Sequence, residues 1–218
     1  MLFHRVANTL NYLDIKTVIV SCGTCMDQLQ KYQFDKIFPG CRLLDIHEYL
    51  MEKGVTLGDT FSAQANVSEA NVKRSGRSQK VLVRYMYHDP CHTPMKAYAP
   101  LQVTSSLIGQ SVPLTDRCCG DAGSFAYSRP DIATQVKFRK QEEIEKGAAS
   151  LRADGFAGKV KILTSCPACL QGLSRFDDDA GTRADYIVVE VAKHLLGENW
   201  ASQYVDRANN GGIERVLL

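Results

Sequence analysis

Two stretches of this chain are copies of one another. Val18-Ile19-Val20-Ser21-Cys22-Gly23-Thr24-Cys25-Met26-Asp27-Gln28-Leu29 aligns with Ile162-Leu163-Thr164-Ser165-Cys166-Pro167-Ala168-Cys169-Leu170-Gln171-Gly172-Leu173 at a constant offset of 144 positions. Each copy is a short β-branched run that ends in Cys-x-x-Cys and passes at once into a helical pattern. A strand feeding a helix, used twice, restricts the chain to an α/β arrangement with two related halves. One residue further out of phase, Asp45-Ile46-His47-Glu48-Tyr49-Leu50 matches Glu190-Val191-Ala192-Lys193-His194-Leu195. Each copy therefore reads strand, Cys-x-x-Cys, helix, connection, helix.

Taken in order, residues 16–22 predict a buried strand, 26–32 a helix, and 43–52 a second helix ending at Gly54. Residues 58–80 are rich in Gly, Ser, Asn, Gln, Lys and Arg and predict a linker or exposed loop, with Lys73, Arg74, Arg77 and Lys80 as a solvated basic run. A strand follows at 81–87, then a helix over 95–108 broken or kinked near Pro100. A long helix over 130–153 opens with Pro130 in its first turn and a Ser128–Asp131 capping box. Its apolar stripe is Ile132, Val136 and Ile144, with Glu142, Glu143, Glu145 and Lys146 facing water. The next strand spans 160–164. The expected fold is α/β: short, mostly parallel strands flanked by helices in two pseudo-symmetric, Rossmann-like halves, the first incomplete.

The copies are unequal. His88-Asp89-Pro90-Cys91-His92 and the pair Cys118-Cys119 precede the second, whereas the equivalents for the first would lie before Met1. The expected organisation is the C-terminal half of a first unit at 1–57, the connector at 58–80, and a complete second unit with a tail at 81–218. The chain is thus expected to be the C-terminal piece of a longer protein.

The eight cysteines carry the chemistry. No apolar run approaches the ~20 residues of a membrane helix, and no secretory signal is evident at the start. The expected location is the cytoplasm, with any membrane association through partners. There, thiols point to metal or redox chemistry rather than structural disulfides. A formal net charge of +2 gives no reason to invoke nucleic acid.

In the complete copy Cys91 is followed after 26 residues by Cys118-Cys119, and after 46 more by Cys166-x-x-Cys169. All five fall at strand ends or in loops, where α/β sheets gather ligand sites. Five thiolates are too many for one tetrahedral zinc and more than a cubane cluster needs; a multi-iron centre with a bridging thiolate fits the count better. Gly120 and Gly123 are candidates for bringing backbone amides close to the sulfurs, and His88 and His92 for supporting the cofactor from either side of Cys91. Cys22 and Cys25 are secondary metal candidates, free thiols or a pair. Cys41 reads as structural, Asp89 as a turn cap, and His47 and His194 as surface or packing residues. Neither Cys-x-x-Cys has a local basic residue or aromatic to activate it, which ranks thiol–disulfide exchange last. No dinucleotide loop, Walker motif or Ser-His-Asp grouping is present.

Together Cys91, Cys118-Cys119-Gly120 and Cys166-Pro167-x-Cys169 resemble the cysteine-rich CCG domain found in heterodisulfide reductase. Similar domains occur in iron–sulfur subunits of glycolate oxidase, anaerobic glycerol-3-phosphate dehydrogenase and lactate-utilisation proteins, and at the C-terminus of large FAD-linked 2-hydroxy-acid dehydrogenases. His88-Asp89-Pro90-Cys91-His92 and Cys118-Cys119-Gly120-x-x-Gly123-Ser124-Phe125 are more similar to the oxidase branch. The resemblance implies an iron–sulfur cluster, of the non-cubane [4Fe–4S] type, on Cys91, Cys118, Cys119, Cys166 and Cys169. It also implies electron transfer between a flavin dehydrogenase domain or subunit and a downstream acceptor, with FAD only in the missing part or a partner. This chain alone is then not expected to be catalytic. The alternative it leaves open is a zinc-stabilised docking domain without redox activity.

Overall fold

In the computed structural model, residues 2–33, 36, 40–57, 82–121 and 123–211 are described. The expected connector at 58–80 lies outside them. Helix α1 (Leu2–Tyr12) leads to β1 (Thr17–Val20), α2 (Gly23–Lys31), β2 (Arg42–Asp45) and α3 (Ile46–Glu52). The chain then continues with β3 (Val83–His88), α4 (Pro100–Ile108), β4 (Leu114–Thr115), α5 (Phe125–Ser128) and the long α6 (Pro130–Arg152). After β5 (Lys159–Thr164) come α7 (Pro167–Leu173), a 3₁₀ turn at Ser174–Phe176, α8 (Asp177–Ala180), β6 (Arg183–Tyr186), α9 (Ile187–Leu196) and α10 (Trp200–Asn209). β1 and β2 form one parallel pair, and β4-β3-β5-β6 form a parallel sheet. The fold is α/β with short parallel strands between helices, as the patterning predicts.

Side chains alternate along β3 and divide the core between the two faces of the larger sheet. Tyr85 and Tyr87 pack with Leu163, the α4 residues Val103, Leu107 and Ile108, and the α9 residues Ile187 and Val191. Met86 points the other way and packs with Val160, Ile162, Ile144 and Ala148 of α6, and Leu173 of α7. Helices thus cover both faces, the usual condition of a parallel sheet. Cys119 and Cys169 belong to the second of these cores.

The repeat extends to strand register. β1 pairs with β2 as Thr17↔Arg42 through Val20↔Asp45, and β5 pairs with β6 as Lys161↔Arg183 through Thr164↔Tyr186. Asp45 is therefore the counterpart of Tyr186, an offset of 141 positions rather than the 145 of the sequence match. Both are the cap residues from which α3 and α9 begin. The connection from β5 to β6 is three residues shorter than that from β1 to β2, and the match to Glu190–Leu195 is a coincidence of helical apolar spacing.

Four other expectations change. Residues 43–45 belong to a strand, not to the helix, because pairing with β1 outweighs the helical preference of Leu43 and Leu44. α4 starts at Pro100 instead of being kinked by it, since its first turn has no use for the missing N–H. Ser128 closes α5, where its hydroxyl donates to the Ser124 carbonyl at 3.1 Å, so no capping box forms with Asp131. Asp131 pairs instead with the Arg129 guanidinium at 2.8 Å. The inward stripe of α6 is Ala133, Lys140, Ile144 and Ala148. Ile132 is exposed, while Lys140 is wholly buried with its amine 2.8 Å from Glu143, so Glu143 does not simply face water.

Glu48 ties the first elements to the rest. It is fully buried; one carboxylate oxygen accepts from the amides of Ala97 (2.7 Å) and Tyr98 (2.9 Å), and the other from the Asp45 amide at 3.3 Å. Asp45 returns the contact by capping the His47 amide at 2.9 Å. Nearby, the Leu57 amide donates to the Leu107 carbonyl at 2.8 Å. Glu48→Ala would leave three amides without their acceptor, at a cost of about 2–4 kcal/mol. Glu48→Gln keeps an acceptor oxygen and should cost roughly half as much. Urea denaturation measures both, and an Ala variant within about 0.5 kcal/mol of wild type would contradict this assignment.

Candidate metal centre

Register places three strand ends abreast. His88 closes β3 and pairs with Thr115 at the end of β4 on one side and Thr164 at the end of β5 on the other. The loops that leave these points carry Cys91, Cys118-Cys119 and Cys166. Parallel strands all release their chains at the same sheet edge, so three distant cysteine elements meet there.

His88 is buried, with its Nδ1 3.2 Å from the Thr115 carbonyl. A carbonyl only accepts, so Nδ1 carries the proton and Nε2 keeps its lone pair. That Nε2 is buried and has no hydrogen-bond partner. Ligand atoms of His88, Cys119 and Cys169 lie within 4.8 Å of one another, and the two sulfurs are 3.4 Å apart. All three residues are buried, and no other such group occurs among the described residues.

The remaining thiols are graded outward from this point. Cys166 is half-buried and caps α7 with extended backbone, φ −132° and ψ 123°. Cys118 is on the exposed side, where the Gly120 amide donates to its sulfur at 3.4 Å. Cys91 is exposed, yet its charge reaches the Cys118 thiol. An open cleft of about 370 Å³ beside Cys118 is lined by Arg117, Val136, Arg139 and Glu142.

Proton affinities divide in the way a shared thiol cluster requires. Cys119 is lowered to about 4, chiefly by a hydrogen bond from the Cys169 thiol, with help from the Asp121 amide. Cys166 is lowered to about 6, again first by Cys169 and then by the amides of Cys169 and Ala168. Cys169, held between them, is pushed up because its proton serves both neighbours. The Cys118 thiol is pushed up by the partial burial of its sulfur, against the favourable Gly120 amide.

Several expected residues stand elsewhere. His92 turns to the other half, its Nδ1 2.7 Å from an oxygen of the Asp27 carboxylate, which Lys96 also approaches. Gly123 has the left-handed φ of +46° but no neighbour within 4 Å of where a Cβ would stand. Cys22 caps α2 with φ −139° and ψ 123°, the geometry of Cys166, and the Cys25 thiol is pushed up by its hydrogen bond with Cys22. The pair is not part of the His88 group. Cys41 is half-buried just before β2, and His47 is fully buried with Nδ1 2.6 Å from Asp45.

Two residues that support the centre are inconspicuous in the sequence. A Cβ on Gly172 of α7 would stand 2.7 Å from the Asp121 Cβ and 3.4 Å from that of Cys119, so this glycine lets the Cys119 loop lie on the helix. Arg175 then holds Asp121 at 2.9 Å. The repeat offers the one available signal, for Gly172 stands where the first copy has Gln28, and no Cys119 loop packs there.

Fold and site define a class: a parallel α/β domain that collects thiols and an imidazole at its strand ends. Residues 85–174 match the family described as the cysteine-rich domain, CCG. Residues 174–218 match a domain of unknown function, DUF3400. The chain is similar to an uncharacterised iron–sulfur protein of Methanocaldococcus jannaschii, 25% identical over 187 residues, covering 82% of this chain and 32% of that protein. A second, from Methanococcus maripaludis, is 24% identical over 197 residues, covering 85% of this chain and 33% of its own. A fumarate reductase (CoM/CoB) subunit of Methanothermobacter marburgensis is 25% identical over 159 residues, covering 70% of this chain and 26% of its own. The chain thus spans a third or less of these relatives. No solved structure matches it.

In the metal-free, reduced chain, iodoacetamide should alkylate Cys166 readily at pH 7, because its thiolate predominates above about 6. The rate should fall as pH drops through that value. Cys118, although more exposed, should react appreciably only above the ordinary thiol value of 9.0. Peptide-resolved mass spectrometry separates the two, and a common midpoint near 9 would contradict the assigned hydrogen bonding.

Proposed function

We propose that this chain is the iron–sulfur, electron-transfer part of an oxidoreductase, with its cluster held by Cys91, Cys118, Cys119, Cys166 and Cys169. The observation that carries the reading is the unpartnered, buried Nε2 of His88 converging with the sulfurs of Cys119 and Cys169. A buried lone pair that converges with two thiols and has no protein donor is costly unless something electropositive sits among them. Cys166 extends the set at the base of α7, and Cys118 and Cys91 extend it toward solvent, which suits a centre of several irons rather than one ion. Bound there, the cluster supplies reversible electron transfer.

The protein's own contribution is electrostatic and steric. The Gly120 amide donates to Cys118 at 3.4 Å, and the Asp121 amide favours the Cys119 thiolate. Such hydrogen bonds withdraw charge from sulfur and raise a cluster's potential. Met86, Ile162 and Leu173 exclude water on the inner side, while Cys118 faces the cleft at Arg117 and Arg139. Electrons therefore have an open side for exchange and a closed side that protects the sulfurs.

Support for a redox setting comes from relatives named as iron–sulfur proteins and as part of a fumarate reductase. We place the chain in a larger assembly with a flavin dehydrogenase that oxidises a 2-hydroxy acid such as glycolate or lactate, and a separate electron acceptor, in the cytoplasm. This rests on the likeness of the His88–His92 and Cys118–Phe125 elements to the oxidase branch. Within the chain, residues 1–57 act as the end of one CCG unit and 81–218 as a second, with 58–80 between them. No helix among the described residues is long and apolar enough to cross a membrane.

A second reading has an observation of its own. His88, Cys119 and Cys169 with Cys166 make an N,S₃ set of the kind that holds structural zinc. Anaerobic purification with iron, zinc and acid-labile sulfide analysis separates the two. The iron–sulfur reading expects brown protein with several irons and matching sulfide, and loss of most of both in Cys119→Ser. Colourless protein holding one zinc and no sulfide would establish the alternative.

A further inference from the structure

The first half carries its own Cys-x-x-Cys, and Tyr186 joins it to the second. Tyr186 closes β6 and is 8% exposed. Its hydroxyl stands 2.6 Å from the carbonyl of Ser21 and 3.3 Å from that of Ser165. Those serines occupy equivalent positions in the repeat, each immediately before the first cysteine of its Cys-x-x-Cys. One hydroxyl proton is thus shared between the two residues that launch Cys22 and Cys166. The shorter contact crosses to the other half, so the side chain is a bridge and not a local turn closure.

The surroundings hold it there. The Tyr186 ring meets His47 edge-on, with centroids 5.4 Å apart and planes at 73°. His47 is fixed in turn by Asp45, the residue that occupies the position of Tyr186 in the first half. Burial pushes the Tyr186 hydroxyl up, and the charges of Asp45, Cys166 and Cys22 all bear on it. The approach of the halves is tight at a second point, where a Cβ on Gly23 would fall 1.6 Å from the His92 carbonyl, next to Cys91. The Cys22 loop therefore abuts both the Cys91 loop and, through Tyr186, the Cys166 loop.

We infer that Tyr186 is a positioning residue for the metal centre, setting the Cys166 loop by tying it to the Cys22 loop of the first half. The first half then serves the centre as a buttress, whatever its own cysteines hold. The inference rests on the reading of Cys119, Cys166 and Cys169 as ligands, and extends it to a residue that donates nothing to the metal.

Co(II) alone, added anaerobically to the reduced full chain, is a suitable probe, because thiolate charge-transfer and d–d bands report both affinity and geometry. Tyr186→Phe removes only the hydroxyl. It should weaken Co(II) binding on the order of 10-fold, as loss of a residue that orients a ligand does, and should shift the d–d bands. Tyr85→Phe is the control: its hydroxyl donates to Glu190 at 2.7 Å on the opposite face of the sheet. It should lower stability while leaving the Co(II) spectrum and affinity unchanged. Gly23→Ala, which displaces the Cys22 loop from the other side, should weaken Co(II) binding as Tyr186→Phe does. Wild-type affinity and spectrum in Tyr186→Phe would overturn the inference, as would an equal change in Tyr85→Phe. Cobalt bound as expected by a protein that never carries iron or sulfide would sink the iron–sulfur reading and leave this one standing. A wild-type chain that binds no Co(II) would overturn both.

Discussion

Six consecutive rungs of parallel pairing between β3 and β5 decide where the chemistry of this chain can happen. They bring His88 level with Thr164, and the two-rung pairing with β4 brings it level with Thr115. A slip of one residue would turn His88 toward the other core, exchange Met86 for Tyr85 or Tyr87, and separate the cysteine loops. The alternation Tyr85–Met86–Tyr87–His88 resists that slip, because two tyrosines need the polar partners Glu190 and Ser165, which other elements hold on their own side. Register, loop convergence and the apolar wall behind the sulfurs are consequences of the same ladder.

From there the electrostatics follow. Three thiols that share hydrogen bonds cannot be alike: Cys169 retains a proton, and Cys119 and Cys166 lose theirs more easily. An imidazole with its proton on the Thr115 side presents only a lone pair to them. Such a set is prepared for a cation or a cationic cluster core before either arrives, and little of the ordering cost remains at the moment of binding. The graded exposure from Cys119 to Cys118 and Cys91 then sets a protected side and a side that a redox partner can approach.

Much of this is legible in the residues. The strands at 16–22, 81–87 and 160–164, the long helix, and the offset of 144 positions all follow from runs whose period is unambiguous. β2, β4 and β6 are not legible, since four- and two-residue strands carry too few side chains to show a period and exist because a neighbour pairs with them. Lys140 is hidden for a related reason: a lysine on an inward stripe is explained only by Glu143 and the Asp116 amide that Glu143 accepts from at 3.1 Å. Cysteine spacing points to the centre, yet spacing alone does not tell His88 from His92. Strand direction decides it, placing one residue at the buried end of β3 and the other beyond the turn, beside Asp27.

The central claim is that one iron–sulfur centre occupies the meeting point of the β3, β4 and β5 ends. Diffraction from anaerobically grown crystals on either side of the iron absorption edge tests it most directly. The account predicts strong iron anomalous density enclosed by Cys119, Cys166 and Cys169, reaching toward Cys118 and Cys91, with His88 Nε2 facing it. A zinc-only signal at that point, or iron found elsewhere while these thiols stand apart from it, would contradict the account.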